Sequence, residues 1–171
     1  GEVKDVPGLG LERNILRYRP VPVAVRATPD ATLGELVRVL VAAVRSRSAF
    51  TLSVARGLPT PLLRALDGLE VFVTVETDDE WIARVAAGTP TGDGERAVRV
   101  PRARIIGEAA SRHSLHAALA WAVDGDPDLA IYAGEVTQSG RIELLPFLHE
   151  QAISITAHRF GNPDAWSAEV I

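Results

Sequence analysis

The sequence predicts an α/β fold: three layers built on a doubly wound, mainly parallel sheet. Three observations carry that prediction. Short β-rich runs alternate with stretches of helical period, the pattern of strands joined by crossover helices. Two capping boxes, Thr32–Glu35 and Thr77–Glu80, place helix starts directly after such runs. The run Val71–Val75 is continuously β-branched or aromatic, as suits a strand covered on both faces.

The elements follow in order. Residues 1–19 read as a connector, because Pro7-Gly8-Leu9-Gly10 resists helix and Pro20 favours extended backbone at Arg19. Val21–Ala27 is a strand, with Pro22 early, where a missing N–H does least harm. Thr32 caps a helix whose apolar face is Leu33, Leu36, Val37, Leu40 and Val44. Phe50–Ala55 is a second strand. Thr60 caps a short helix with Pro61 at its first position and Gly68 closing it. After Val71–Val75, the Thr77 box opens a helix with Trp81, Ile82 and Val85 inward and Gly88 as its stop. Residues 89–96 are a polar, Gly-rich loop.

Ala103–Ile106 is a short strand. A helix from about Ser111 to Asp124 carries Leu115, Leu119, Ala122 and Val123 on one face, with Gly125 after its end. Leu129–Tyr132 is a strand, Ile142–Phe147 is ambiguous, and Ala152–Thr156 is the last strand, with Ile153 and Ile155 expected to complete the sheet.

Composition narrows the function classes. The chain has 171 residues, enough for one domain with a sizeable core. Its hydrophobic content is 47%, which is globular rather than disordered. The net charge is −4 with no basic stripe, so a nucleic-acid partner is not expected. No apolar run is long enough to span a bilayer, and no membrane association is evident. With no cysteine, a disulfide scaffold, a thiolate metal site and a Cys nucleophile are excluded. The chain opens on Gly1 and contains no methionine, as expected of a piece excised from a longer protein.

Motifs that could carry chemistry are few and incomplete. A dinucleotide site needs glycines between a strand and a helix, so that backbone N–H groups approach the pyrophosphate. Gly8-Leu-Gly10 has Arg13 where the third small residue belongs, and Gly92-Asp-Gly94 carries a carboxylate that repels phosphate. Both read as turns. A Walker lysine would have to be Lys4, the one lysine. Glu76 ends a strand, where a carboxylate can hold a ribose; the acidic first turn of the next helix is the plainer reading. His113 and His116 have metal-compatible spacing without an evident third ligand, and no Gly-x-Ser-x-Gly elbow makes Ser111 or Ser114 a nucleophile. Neither a catalytic residue, nor a cofactor site, nor a metal site is expected.

The tail differs. In Leu144–Gly161, Pro146 sets a bend, and Leu145, Phe147 and Leu148 are apolar anchors. His149 and Gln151 are hydrogen-bonding groups. Ser154 and Thr156 alternate with the isoleucines, so one strand face is hydroxylated and the other apolar. His158-Arg159-Phe160 places a cation between aromatic rings, before Gly161. Such polar density at a terminus fits a strand or lid that meets a partner surface.

Leu144-Leu-Pro-Phe-Leu-His-Glu-Gln-Ala-Ile-Ser-Ile-Thr-Ala-His-Arg-Phe-Gly161 closely resembles the terminal motif of long-form proline utilization A, the bifunctional bacterial flavoenzymes of proline catabolism. Leu11-Glu-Arg-Asn-Ile-Leu-Arg-Tyr-Arg-Pro20 is similar to a segment near the end of their aldehyde dehydrogenase module, with Leu11 in place of a glycine. The residues between match only in pattern.

The resemblance implies a non-catalytic C-terminal domain, Rossmann-like and similar to the nucleotide-binding domain of aldehyde dehydrogenases, without coenzyme of its own. It divides the chain into a connector (1–19), a Rossmann-like domain (20–143) and a terminal motif (144–171). It implies that the tail packs on the catalytic dehydrogenase module of the same parent and helps seal the passage between its two active sites. The docking residues implied are Leu145, Pro146, Phe147, Leu148, His149, Gln151, Ser154, Thr156, His158, Arg159, Phe160 and Gly161. FAD and NAD belong to the parent, which is an oxidoreductase of the cytoplasm, with peripheral contact at the inner membrane as a variant. Two other readings stand beside this one: an independent nucleotide- or small-molecule-binding α/β domain, and a module that self-associates through its terminal strand.

Overall fold

Pro22 sets where the central strand begins. Lacking an N–H, it delays the ladder to Val23, whose amide donates to Ala49 O at 3.1 Å. The computed structural model describes residues 3–5, 7–9, 12–88, 99–159 and 162–163, with the backbone alone at Arg159 and Pro163. In chain order the elements are β1 (Lys4–Asp5), β2 (Glu12–Pro20), β3 (Val23–Ala27), α1 (Leu33–Ser46), β4 (Phe50–Val54), α2 (Thr60–Asp67) and β5 (Val73–Val75). They continue with α3 (Asp78–Ala87), β6 (Arg102–Ile106), α4 (Ala109–Ala122), β7 (Ala130–Tyr132) and α5 (Gly140–Glu143). A 3₁₀ turn (Leu145–Phe147), β8 (Leu148–Thr156), β9 (His158–Arg159) and β10 (Asn162–Pro163) follow.

Two compact units result. One is Pro20–Phe147; the other joins the described parts of Gly1–Arg19 and Leu148–Ile171. The first unit is a five-stranded sheet of order β5-β4-β3-β6-β7, with every neighbouring pair parallel. Connectivity runs outward from β3 in one direction and then, after β6, in the other. This is the doubly wound, Rossmann-like α/β arrangement expected from the alternation of strand and helix.

Both faces of the sheet are covered. Val23, Val25, Ala27, Leu52, Val54 and Ile106 pack with α1 and α2 on one side. Ala24, Ala103 and Ile105 pack with Trp81 and Val85 of α3 and Leu115 and Leu119 of α4 on the other. The alternation along β3 thus feeds two apolar layers, as a central parallel strand must. Both capping boxes form as read: the hydroxyls of Thr32 and Thr77 accept from Glu35 N and Glu80 N, and each glutamate reaches back to its cap amide.

Several expectations need correction. On α1 the sheet-facing residues are Leu36, Val39, Leu40 and Ala43, whereas Leu33, Val37 and Val44 point to solvent. The helix is apolar on more than one side, and periodicity alone cannot say which stripe meets the sheet. Pro59, not Thr60, is the N-cap of α2, without a side-chain bond, and Pro61 sits one position further in. The Val71–Val75 run yields only β5, an edge strand; Phe72 is 88% exposed and Val75 59%. Ala122 is exposed while Val123 is buried, since α4 already ends at Ala122. The segment from Ile142 to Phe147 is helical, as the end of α5 and a 3₁₀ turn.

β8 does not complete the five-stranded sheet. It lies at one end of a separate sheet of order β1-β2-β8 in the second unit, so the stretch read as a connector carries two strands. β9 and β10 pair antiparallel beyond it. Alternating hydrophobicity specifies a strand, not its neighbour.

Candidate functional site

A doubly wound sheet binds ligands outside the carboxyl ends of its strands, where the order reverses. Here that point lies between β3 and β6, at Thr28 and Gly107. Chain groups fill it. Gly107 has φ +146°, and a Cβ there would lie 1.8 Å from Thr28 Oγ1 and 2.4 Å from Asp30 Oδ1. Asp30 Oδ1 accepts from Glu108 N at 2.9 Å and from Thr28 Oγ1 at 2.5 Å, and Ser111 Oγ donates to Asp30 Oδ2. An aspartate distant in sequence therefore caps α4, whose own N-cap Glu108 makes no side-chain bond. The hydrogen bond from Ser111, then those from Thr28 and Glu108, hold the Asp30 carboxyl below its ordinary value.

The N-terminus of α1 is likewise occupied. Glu35 Oε2 accepts from Thr32 N at 2.9 Å and from Thr32 Oγ1 at 2.7 Å. No glycine lies in the β3–α1 loop to let a pyrophosphate approach the backbone. At each helix start a carboxylate of the chain already accepts from a backbone amide, Asp30 from Glu108 N and Glu35 from Thr32 N, so an approaching pyrophosphate would meet like charge. These residues do not fit a nicotinamide coenzyme bound in the usual manner of the fold. Glu76 is not available for a ribose either: Arg84 donates to both of its oxygens, at 3.2 and 2.5 Å, and its side chain is 8% exposed.

The Asp30 cap has a pH signature. A folded-state carboxyl held low contributes stability above its unfolded value, near 3.8, and loses it as pH falls through the lower folded value. Asp30→Asn is therefore expected to lower the melting temperature at neutral pH, through weakening of a cap worth about 1 kcal/mol. The difference from the parent sequence should shrink as the pH drops below 3.8. Paired thermal melts across that range read it; a difference independent of pH would show that the carboxylate charge has no part in the cap.

His113 and His116 are both exposed on α4, and among the described residues no three groups of His, Asp or Glu gather to hold a metal. No helix among the described residues is long and apolar enough to cross a membrane.

The tail residues divide between the units. In the first, Phe147 is fully buried in the core and Pro146 is buried beside it, while Leu145 is 54% exposed. Phe147 O accepts from Val21 N at 3.0 Å, and Arg102 Nη1 donates to the carbonyls of Leu145 and Pro146 at 2.7 and 3.0 Å. The segment is held by its backbone and by Phe147. Upstream, Glu143 and Arg104, which sequence reasoning passed over, fix the start of this turn. Arg104 Nη2 donates to both Glu143 oxygens, at 3.3 and 3.2 Å, and Thr137 N donates to Glu143 Oε1 at 2.7 Å.

In the second unit, Leu148 is half-buried and His149 exposed. Gln151, Ile153 and Ile155 are half-buried, whereas Ala152, Ser154, Thr156 and His158 are exposed. From Glu150 to Thr156 the period of two read from the sequence is thus the period of burial. Gln151 Oε1 accepts from Arg17 Nε at 2.7 Å, and Ser154 Oγ donates to Glu12 Oε1 at 2.5 Å, tying β8 to β2. Arg159 lies in β9, its side chain not described; Phe160 and Gly161 fall outside the described residues, as does the Gly-rich loop at 89–96.

No family model matches the chain, and no curated protein does either. Among solved structures the chain is similar to Proline Utilization A (PutA) from Corynebacterium freiburgense, with 27% sequence identity and a TM-score of 0.50. The similarity covers 95% of this chain but only 12% of that one, so the chain spans a small part of that protein's length.

Proposed function

We propose that the chain is the non-catalytic, C-terminal domain of a long-form bifunctional proline utilization A. In this reading it docks through Leu145–Gly161 on the catalytic dehydrogenase module of the same cytoplasmic parent and helps seal the passage carrying the intermediate between active sites. FAD and NAD belong to the parent's other modules.

One observation carries the proposal: β8 stands apart from the five-stranded sheet, as the end strand of a small sheet with one polar face exposed. An end strand offers a row of backbone donors and acceptors to another chain, and its alternate side chains give specificity. Leu145, His149, Ser154, Thr156 and His158 are the exposed members of the set. Phe147 contributes from within, by anchoring the turn that delivers β8. The similarity to PutA supports the parent, and the self-capped helix starts support a domain without coenzyme of its own.

Thr156→Glu tests the docking face. Thr156 is exposed, so the isolated chain is expected to melt within about 0.5 kcal/mol of the unaltered one. In the bifunctional parent the added carboxylate would be buried against the dehydrogenase module without a partner, and NADH production from proline should acquire a lag. An unaltered progress curve counts against docking through β8. Independently, NAD added to the isolated chain is expected to leave its melting temperature where it was; a rise with NAD concentration would mean a working coenzyme site and would overturn the non-catalytic reading.

A further inference from the structure

The outward face of α1 points to a second docking surface, one that does not rest on the tail. Val37 is 39% exposed, Val41 62% and Val44 43%, at helical spacing along the outer side of α1. Beside them the α1–α5 side of the fold opens a groove of about 460 Å³, with Val37, Val41 and Leu144 among its walls. Ile142 of α5, 51% exposed, extends the apolar surface. Scattered apolar side chains on a surface need no explanation, but a stripe that continues into a concave groove does.

The exposed charged side chains that line it are both cationic. Arg38 and Arg45 line the same groove and are exposed, and among the described residues neither has an ion-pair or hydrogen-bond partner. The acidic groups nearby are committed elsewhere: Glu35 to the capping box and Glu143 to Arg104. An apolar seam edged by unpaired guanidinium groups is the complement of an amphipathic helix with an apolar stripe and flanking carboxylates.

We propose that this groove docks an acidic amphipathic helix of a partner polypeptide. A second copy of the chain fits poorly, because two-fold pairing of α1 about Val41 brings Arg38 of one copy beside Arg45 of the other. A membrane fits less well as well: the surface is concave, and the chain carries a net charge of −4, which anionic lipid repels.

The test uses the whole chain and two synthetic helical peptides with the same leucine stripe, one flanked by glutamates and one by lysines. Fluorescence anisotropy should show the glutamate peptide binding about tenfold more tightly, the yield of two surface charge pairs. Val41→Glu should abolish binding, and Arg38→Glu with Arg45→Glu should reverse the preference. Should Val41→Glu lower the melting temperature, the double arginine variant decides alone. Equal affinity for both peptides overturns the proposal. So does sedimentation with phosphatidylglycerol vesicles that Val41→Glu prevents, or a concentration-dependent dimer that Val41→Glu dissolves, since each assigns the surface to another occupant.

Discussion

Glu143→Ala is expected to cost the chain about 3–5 kcal/mol, because it leaves a buried guanidinium without its counter-charge. Arg104 and Glu143 have side chains only 3% and 5% exposed and are 3.2 Å apart. Arg104 is already incompletely satisfied: its Nε has no hydrogen-bond partner among the described residues, while Nη1 donates to the carbonyls of Ile105, Tyr132 and Gly134. Alanine also removes the acceptor for Thr137 N, orphaning an amide at the start of the loop into α5. The contrast is Arg26–Asp78, where Arg26 is fully buried but Asp78 is 41% exposed, so water can compensate a lost carboxylate. Chemical denaturation of the isolated chain measures the loss. Replacing both partners, Arg104→Met with Glu143→Leu, should recover most of it, as neutral side chains need no counter-charge. A loss below about 1 kcal/mol for Glu143→Ala would place the pair among surface ion pairs and remove its claim to fix the tail's point of departure.

Gly107→Ala is expected to cost at least about 2 kcal/mol, combining backbone strain with a steric clash. The φ of +146° is one that L side chains rarely adopt, and the new methyl would meet Thr28 Oγ1 at 1.8 Å. Thr28 cannot swing away cheaply. It is 4% exposed, and its hydroxyl lies 2.9 Å from Ile106 O. Displacing it also disturbs Asp30 and the cap of α4. Gly125→Ala separates the two causes. Gly125 has φ +64°, but a methyl there would meet nothing within 4 Å, so that variant should lose only about 1 kcal/mol of backbone preference. Equal losses at the two sites would mean that the switch point is not closely packed.

The local rules were the legible ones. Thr32 with Glu35 and Thr77 with Glu80 announced two helix starts within four residues of sequence each, and the structure builds both boxes. Trp81 and Val85 were readable as one inward face because they lie four apart after the acidic turn Asp78-Asp79-Glu80. α1 was not, because apolar residues surround it and only the sheet decides which stripe is buried. Distance in sequence hid the rest. Asp30 caps a helix that begins at Ala109, and Arg104 meets Glu143 across β7; neither pairing leaves a local signature. Gly107, between a strand and a helix, was the one signal at the switch point that the sequence could have given. Arg26 and Arg104 stand mid-strand in β3 and β6, where an arginine reads as a solvated residue, yet both are buried and bonded. The tail's alternation was legible and its sheet was not, since β8 pairs with β2 from the opposite end of the chain.

Removal of the whole domain from its parent tests the central claim most directly. The bifunctional polypeptide would be ended before the segment that corresponds to Gly1, NADH formation from proline followed, and the isolated chain then added in trans. The account predicts a lag or loss of coupled activity on truncation and its repair by the added chain. Coupled activity that is unchanged by truncation would contradict it, leaving the tail motif as a mark of ancestry and the chain's partner to be sought elsewhere.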